Sequence, residues 1–439
     1  MTKSTPKQKL LAKKSNSISG IVSVPGDKSI SHRAIILSMI TLKKTRIYNI
    51  LDSSDTNKSM SAAIKLGIEC NQKEGFVEII GNGLHGLKNP EQELFFGNSG
   101  TSMRLFMGVL SAQKFSTILT GDSSLNSRPM ERVAVPLRNM GACIEMEQDH
   151  APIRIYPSEQ IIGCKQLLKI PSAQVKSAIL LASLYANSKT TLRSNWITRN
   201  HTELMLEYFG CPINYNDEEI KIKNGELKGK DTISIPGDFS SAAFLILATL
   251  IAKDSQIIIK DVGLNPTRTG FLKILKMMGG NITTRIDSNR SFEIQGTIKV
   301  KSSKLRGINV PNNLVSLSID ELPLVFLAAA FANGTTTIRN ASELRFKESD
   351  RISAMATLLS KLSIDVKELK DGIIINGGLI TGGEIDSFGD HRIAMTALIA
   401  SACSQSDILV HNTLNIDTSF PYFVKTMNQI GMNIINPDK

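Results

Sequence analysis

The chain lacks any apolar run long enough to cross a bilayer. Its longest stretches poor in polar groups, Ala242 to Ala252 and Leu322 to Ala332, hold 11 residues each, where a span needs about 20. Its five cysteines, Cys70, Cys143, Cys164, Cys211 and Cys403, are odd in number, widely spaced and without a CxxC pair. That excludes a disulfide framework and a zinc ribbon, and the thiols are expected to be small buried hydrophobes in a reducing cytoplasm. The six histidines show no HxH, HxxH or HxxxH spacing, so a metal site is not expected. Aromatic residues are scarce, 5% with one tryptophan, and no RNP-like, zinc-finger or heptad pattern accompanies the basic residues, which argues against a nucleic-acid reader.

With 439 residues, the chain is long enough for two or three domains, each with its own core. Lys and Arg number 51 against 40 Asp and Glu, a net charge of +11. Without a nucleic-acid signature, that excess points to small anionic substrates. The first 17 residues carry five lysines, no acid and no apolar segment before a cleavage site. They are not a secretory signal and read mainly as a frayed basic start.

Six times a polar cluster runs into a block of small and apolar residues: GDKSISHRAIILSMI, GNSGTSMRLFMGVL, PSAQVKSAILLASL, PGDFSSAAFLILATL, SIDELPLVFLAAA and GDHRIAMTALIASA. The apolar blocks open at Ser29, Thr101, Gln174, Ser240, Asp320 and His391, in steps of 66 to 80 residues, the signature of an internal repeat. Each block is too long for a strand and opens on Ser, Asp, Asn or Gly, residues that cap helices. Between them lie strand-like runs such as FVEII, QIIIK and DILVH, so the class is α/β (α+β).

The hexapeptide Val22-Ser23-Val24-Pro25-Gly26-Asp27 recurs as Ile233-Ser234-Ile235-Pro236-Gly237-Asp238. If the chain crosses between lobes at both, residues 25–236 form one lobe and residues 1–24 with 237–439 the other, three repeats each, with hinges near 25–27 and 236–238. Alternatively, both are ordinary strand-to-helix turns. Helix N-termini facing a cleft between lobes would make an anion trap, since each carries about half a positive charge and unbonded N–H groups.

Basic residues sit in or beside these helix starts (Lys28, Arg33, Arg104, Lys176, Arg392) and in loops (Arg128, Arg199, Lys347, Arg351). Two acids are candidates for proton transfer: Asp320, opening an apolar helix, and Glu348, between Lys347 and Arg351. Gly81 to Gly86 fits GxGxxG, but Leu87-Lys88-Asn89-Pro90 follows where a dinucleotide fold needs a helix, so it reads as a hairpin turn. Gly97-Asn98-Ser99-Gly100-Thr101 lacks the GK[ST] of a nucleotide site yet can cradle an anion.

PGDKSISHRA, GNSGTSMR, SRPMERV, PSAQVKSA, RNHTE, IDELP, LRFKESDR and GDHRIAM, in this order from Pro25, together resemble the 5-enolpyruvylshikimate-3-phosphate (EPSP) synthases, most closely their bacterial class II branch. The resemblance implies an enolpyruvyl transferase fold of two lobes and six βαβαββ units. It implies a reaction in which the 5-hydroxyl of shikimate 3-phosphate attacks C2 of phosphoenolpyruvate while C3 is protonated, and phosphate then leaves. It implies no metal or organic cofactor, and the expected protein is a cytoplasmic monomer acting on small molecules, without membrane or nucleic-acid partners.

By motif position the resemblance assigns Lys28, Ser29, Arg33, Ser172, Ala173, Gln174, Arg199, Asp320 and Lys347 to shikimate 3-phosphate. It assigns Lys28, Asn98, Gly100, Arg128, Gln174, Arg351 and Arg392 to phosphoenolpyruvate. Asp320 resembles the base for the 5-hydroxyl, Glu348 the acid serving C3, with Lys28 and His391 as further catalytic groups. Asp417 stands in DTSFP where the class I pattern has a lysine before Thr-Phe-Pro. Gly100 stands where an alanine methyl would narrow the phosphoenolpyruvate pocket. The related transferase acting on UDP-N-acetylglucosamine is disfavoured because Gly121 to Ser127 contains no cysteine and Lys28 is followed by Ser29 rather than Asn.

Overall fold

The computed structural model describes residues 8–15, 17–288 and 292–438. Among them the strands form six small sheets, three in each of two compact units, Met1–Pro25 with Pro236–Asn289 and Ile294–Lys439, and Gly26–Ile235 with Arg290–Glu293.

One repeat shows the logic. Strand Leu94–Phe95 leads into helix Gly100–Leu110 and then strand Thr117–Thr120, which lies parallel to the first. A second helix, Glu131–Arg138, precedes the hairpin Cys143–Glu147 and His150–Tyr156, whose second strand adds antiparallel to the sheet. Parallel neighbours need a crossover, and the apolar helix supplies it while covering the sheet. The same strand, helix, strand order runs through Lys165–Leu167, Ala173–Ser183 and Thr190–Arg193, and again through Gly383–Asp386, His391–Ile399 and Ile408–His411. The repeat beginning near Arg306 is degenerate: its first strand is reduced to isolated parallel bridges, Arg306 with Asn333 and Asn309 with Thr337.

The recurring hexapeptide marks an exchange. Strand Ser19–Ser23 pairs not with the repeat that follows it but with Gln256–Gly263, and Thr232–Ser234 pairs with Lys44–Tyr48. In both cases Asp, the last residue of the motif, caps the next helix, Asp27 accepting from the Ile30 amide and Asp238 from the Ser240 amide. Each motif is thus a strand-to-helix turn, and it is also where the chain passes from one unit to the other.

The six helices begin at Lys28, Gly100, Ala173, Phe239, Leu322 and His391, within two residues of the block starts read from the sequence. Helix Phe239–Ile251 is buried over its whole length. It has no charged residue, and each buried Leu, Ile or Phe is worth about 1.5–3 kcal/mol. Among the described residues no helix is long and apolar enough to cross a membrane.

Several expectations need correction. The basic start is not frayed throughout: Lys9–Lys13 is a strand between Ile408–His411 and Asn433–Ile435, burying Leu10 and Ala12 while its lysines alternate outward. Residues 1–7 lie outside the described residues. Phe292 and Glu293 group with Gly26–Ile235, not with the lobe assigned to 237–439. Phe292 packs against Tyr208 with ring centroids 5.3 Å apart and planes tilted by 43°, and Glu293 bonds His201. Asp320 lies in a turn, two residues before its helix. The GxGxxG segment joins two sheets instead of closing a hairpin. Of the cysteines, Cys211 is buried but Cys143 is exposed, because it falls on the outward phase of its strand. Burial pushes the Cys211 and Cys403 thiols up to about 12 and, with the Glu69 charge, Cys70 up to about 11.

Candidate active site

In the unit Gly26–Ile235, the helix starting at Lys28 carries Lys28 and Ser29 in its first turn and Arg33 one turn further on. Lys28 Nζ pairs with Asp55. The Arg33 guanidinium is buried, and its Nη1 donates to the Ser29 carbonyl at 2.8 Å, its Nε to Thr202 Oγ1 at 2.7 Å and its Nη2 to Ser177 Oγ at 2.7 Å. Beside it, Lys176 Nζ meets Glu203 at 2.6 Å. Ser172 caps the helix that Ala173 opens, accepting from the Val175 amide. Arg199 is half-buried in the loop leading to helix His201–Tyr208.

A second cluster of the same unit surrounds Gly100. Arg128 Nη2 donates to Asn98 Oδ1, and the Asn98 amide donates in turn to Asp122 at 2.9 Å. Gln174 accepts from Arg104 Nη1 at 2.5 Å and donates to Thr101 Oγ1 at 2.9 Å. A Cβ at Gly100 would stand 3.1 Å from Arg104 Nη1 and 3.2 Å from Arg128 Nη1, so glycine here lets two guanidinium groups approach the start of a helix. Behind both clusters His32 is fully buried, its Nδ1 2.9 Å from Ser59 Oγ and 3.2 Å from Ser102 Oγ. Burial, then the charges of Lys28 and Arg33, hold it well below the usual imidazole value, so it is neutral at pH 7.

The unit containing Pro236–Asn289 and Ile294–Lys439 gathers charges of both signs. One Asp320 carboxylate oxygen lies 3.6 Å from Arg351 Nη1 and 3.7 Å from Lys347 Nζ, and the other 3.8 Å from Arg392 Nη2. Glu348 accepts from Arg351 Nη2 at 2.6 Å and keeps a quarter of its side chain exposed. Arg351, only 1% exposed, is anchored from behind by Asp390 through Nε at 2.7 Å. Burial disfavours its charge, but Asp390 and Glu348 outweigh that and raise it. Asp390 also caps the helix bearing His391 and Arg392, accepting from the Arg392 amide at 2.8 Å. Arg392 Nη1 donates to the Asp320 carbonyl at 2.8 Å. The geometry therefore sets one carboxylate among three cations, with a second, partly exposed carboxylate on one of them. Such a set can bind a polyanion and move a proton beside it.

Reading the sequence missed the partners: Asp55, Asp122, Glu203, Ser177 and Thr202 in one unit, and Ser240, Arg268, Glu321 and Asp390 in the other. Ser177, Thr202, Glu203, Glu321 and Asp390 lie inside PSAQVKSA, RNHTE, IDELP and GDHRIAM, and Ser240 two residues after PGD, so membership of those motifs was the available signal; Asp55, Asp122 and Arg268 lie outside them. Asp417 is exposed, yet the desolvation it does suffer raises its carboxyl; no cation stands at that position.

This fold is that of the enolpyruvyl transferases: the enolpyruvyl transferase NikO from Streptomyces tendae superposes with a TM-score of 0.76 over 98% of this chain and 99% of that one, at 16% identity. The family model for EPSP synthase (3-phosphoshikimate 1-carboxyvinyltransferase) matches residues 12–427, and the chain belongs to that family. A 3-phosphoshikimate 1-carboxyvinyltransferase of Ruthia magnifica subsp. Calyptogena magnifica is 45% identical over 428 residues, 97% of this chain and 98% of the relative. One of Coxiella burnetii (strain RSA 493 / Nine Mile phase I) is 43% identical over 423 residues, 96% of each. The EPSP synthase structure from Acinetobacter baumannii has a TM-score of 0.87 at 41% identity, covering 98% of this chain and all of that one.

Proposed function

We infer that this enzyme transfers the enolpyruvyl group of phosphoenolpyruvate to the 5-hydroxyl of shikimate 3-phosphate, releasing phosphate, with the residue roles that follow. Lys28, Ser29, Arg33, Ser172, Ala173, Gln174, Arg199 and Lys347 take the acceptor. Lys28, Asn98, Gly100, Arg128, Gln174, Arg351 and Arg392 take the donor. Asp320 receives the 5-hydroxyl proton as the oxygen attacks C2, and Glu348 delivers a proton to C3. A C3 proton is then lost as phosphate departs from C2 of the tetrahedral intermediate, which restores the C2–C3 double bond while the C5 oxygen is retained. Lys28 and His391 support the charge that moves. The protein acts as a cytoplasmic monomer on small molecules.

The observation that carries this reading is the placing of Asp320 among Lys347, Arg351 and Arg392, with Glu348 on Arg351. A donor bearing a phosphate and a carboxylate needs several cations, and preorganised charges stabilise the intermediate without reorganising. The test is phosphate release from phosphoenolpyruvate, with chelator present, offering shikimate 3-phosphate or UDP-N-acetylglucosamine as acceptor. Release only with shikimate 3-phosphate is expected; release only with the sugar nucleotide would overturn the acceptor assignments.

Two substitutions probe the donor cluster. Arg128→Ala should raise the phosphoenolpyruvate KM by about tenfold or more, since a hydrogen bond to a charged group is worth ~1.5–3 kcal/mol, and an unchanged KM would remove Arg128 from the donor site. Gly100→Ala places a methyl 3.1–3.2 Å from two guanidinium groups. Overpacking of this kind costs ~1–3 kcal/mol, so that KM should rise while the shikimate 3-phosphate KM holds. Equal rises in both would show a general distortion instead.

A further inference from the structure

Helix Leu322–Phe331 differs from the other five repeat helices. Their N-cap side chains, Asp27, Ser99, Ser172, Asp238 and Asp390, each accept a bond from their own helix, whereas the N-cap residue here, Glu321, makes no such bond. Its carboxylate is 1% exposed and instead accepts from the Ser240 hydroxyl, in another repeat, at 2.5 Å. The same Ser240 oxygen accepts from Arg268 Nη2 at 2.6 Å and from Arg392 Nη2 at 3.3 Å. A hydroxyl has one proton and two lone pairs, so all of its bonding capacity is committed and its direction is set.

The arrangement bears on Arg392. That guanidinium faces Asp320, whose carboxylate is 3.8 Å from Nη2, and Glu321, 3.6 Å from Nη1. Arg268 lies 3.5 Å from Asp238 and 3.8 Å from Glu321, and Arg351 and Lys347 stand on the other side of Asp320. Attraction to Asp320 alone would draw Arg392 into a close ion pair, occupying at once the proposed base and a proposed donor ligand. The bonds to Ser240 and to the Asp320 carbonyl, with Glu321 as counter-charge, oppose that collapse. We propose that Ser240, Arg268 and Glu321 are positioning residues that hold Arg392 off the Asp320 carboxylate and aim it at the donor anion. The proposal rests on the roles given above to Arg392 and Asp320.

The test compares the purified full-length wild type with Ser240→Ala and Glu321→Gln in steady-state assays, recording both KM values and the pH profile of kcat/KM. Ser240→Ala should raise the phosphoenolpyruvate KM about tenfold, the scale of one lost hydrogen bond to a charged group, with the shikimate 3-phosphate KM within about twofold. It should also move the acid limb to lower pH, because a cation drawn onto Asp320 favours its charged form. Ser240→Ala removes no charge, so that shift requires a charged group to have moved. Glu321→Gln, nearly isosteric, should likewise raise the phosphoenolpyruvate KM with the shikimate 3-phosphate KM held, and it stands in for that readout if the alanine variant does not fold; its acid limb is not diagnostic, because the lost charge alone favours ionised Asp320. Wild-type donor KM in the folded variants, or a wild-type acid limb in Ser240→Ala, whatever their melting temperatures, would overturn the proposal. A wild type that releases no phosphate with shikimate 3-phosphate would overturn the underlying reading, and the proposal with it, before any variant is compared.

Discussion

Asp320→Asn is expected to lower kcat by about 100-fold or more, the scale of general base catalysis, with both KM values within a few-fold of wild type. The amide keeps the shape of the side chain and cannot take a proton. Its effect on binding should be small and, for the donor, favourable in sign. Lys347, Arg351 and Arg392 share the Asp320 carboxylate at 3.6–3.8 Å, and neutralising it leaves three cations with more attraction for an incoming anion. A fall in kcat with a constant or lower phosphoenolpyruvate KM therefore separates a catalytic acid or base from a binding group. Glu348→Gln should give a comparable kcat loss. Arg351 would still be held by Asp390 at 2.7 Å, so the change should not dismantle the cluster. Near wild-type turnover in both variants would sink the proton-transfer assignments.

Much of this was legible because it is local. Cap residues, small apolar helices and the 66-to-80-residue spacing are written in consecutive residues, and helix starts followed within two positions. Asp320, Lys347, Glu348, Arg351 and Arg392 could be picked from short motifs, and the fold brings those five together. What was not legible is non-local. Strand Lys9–Lys13 earns its place only by filling a gap between strands some 400 residues later; in the sequence its alternation is five residues long and looks like a basic tail. Asp55 as the partner of Lys28, and Glu321 turned toward Ser240 instead of its own helix, depend on how separate repeats pack. Phe292 and Glu293 lie in the turn region of a hairpin, and nothing in their immediate sequence says which core they join.

Asp390→Asn should destabilise the unit that contains it by about 3–5 kcal/mol, the cost of removing one partner from a buried ion pair. Asp390 is fully buried and accepts from Arg351 Nε at 2.7 Å and Nη2 at 3.3 Å, from Ser349 Oγ at 3.2 Å and from the Arg392 amide at 2.8 Å. Asparagine can still accept the amide bond that caps the helix, so the loss falls on Arg351, which is 1% exposed and is left with the partly exposed Glu348 and with Asp320 at 3.6 Å but without its buried counter-charge. At about 2–4 °C per kcal/mol for a unit of this size, Tm at pH 7 should fall by roughly 6–20 °C. The pH dependence has a definite sign. Burial pushes the Asp390 carboxyl up, but the Arg351 charge, aided by His391 and by hydrogen bonding from Arg351, outweighs that and the opposing Glu348 charge, so the carboxyl is held below its usual range. A group held low stabilises the fold above its unfolded value, about 3.9, and loses that contribution as pH falls through the folded one. The Tm gap between wild type and Asp390→Asn should therefore be constant from pH 7 to about 5 and narrow below about 4. A gap under about 2 °C at pH 7, or one that widens on acidification, would show that the buried Asp390 charge is not what secures Arg351.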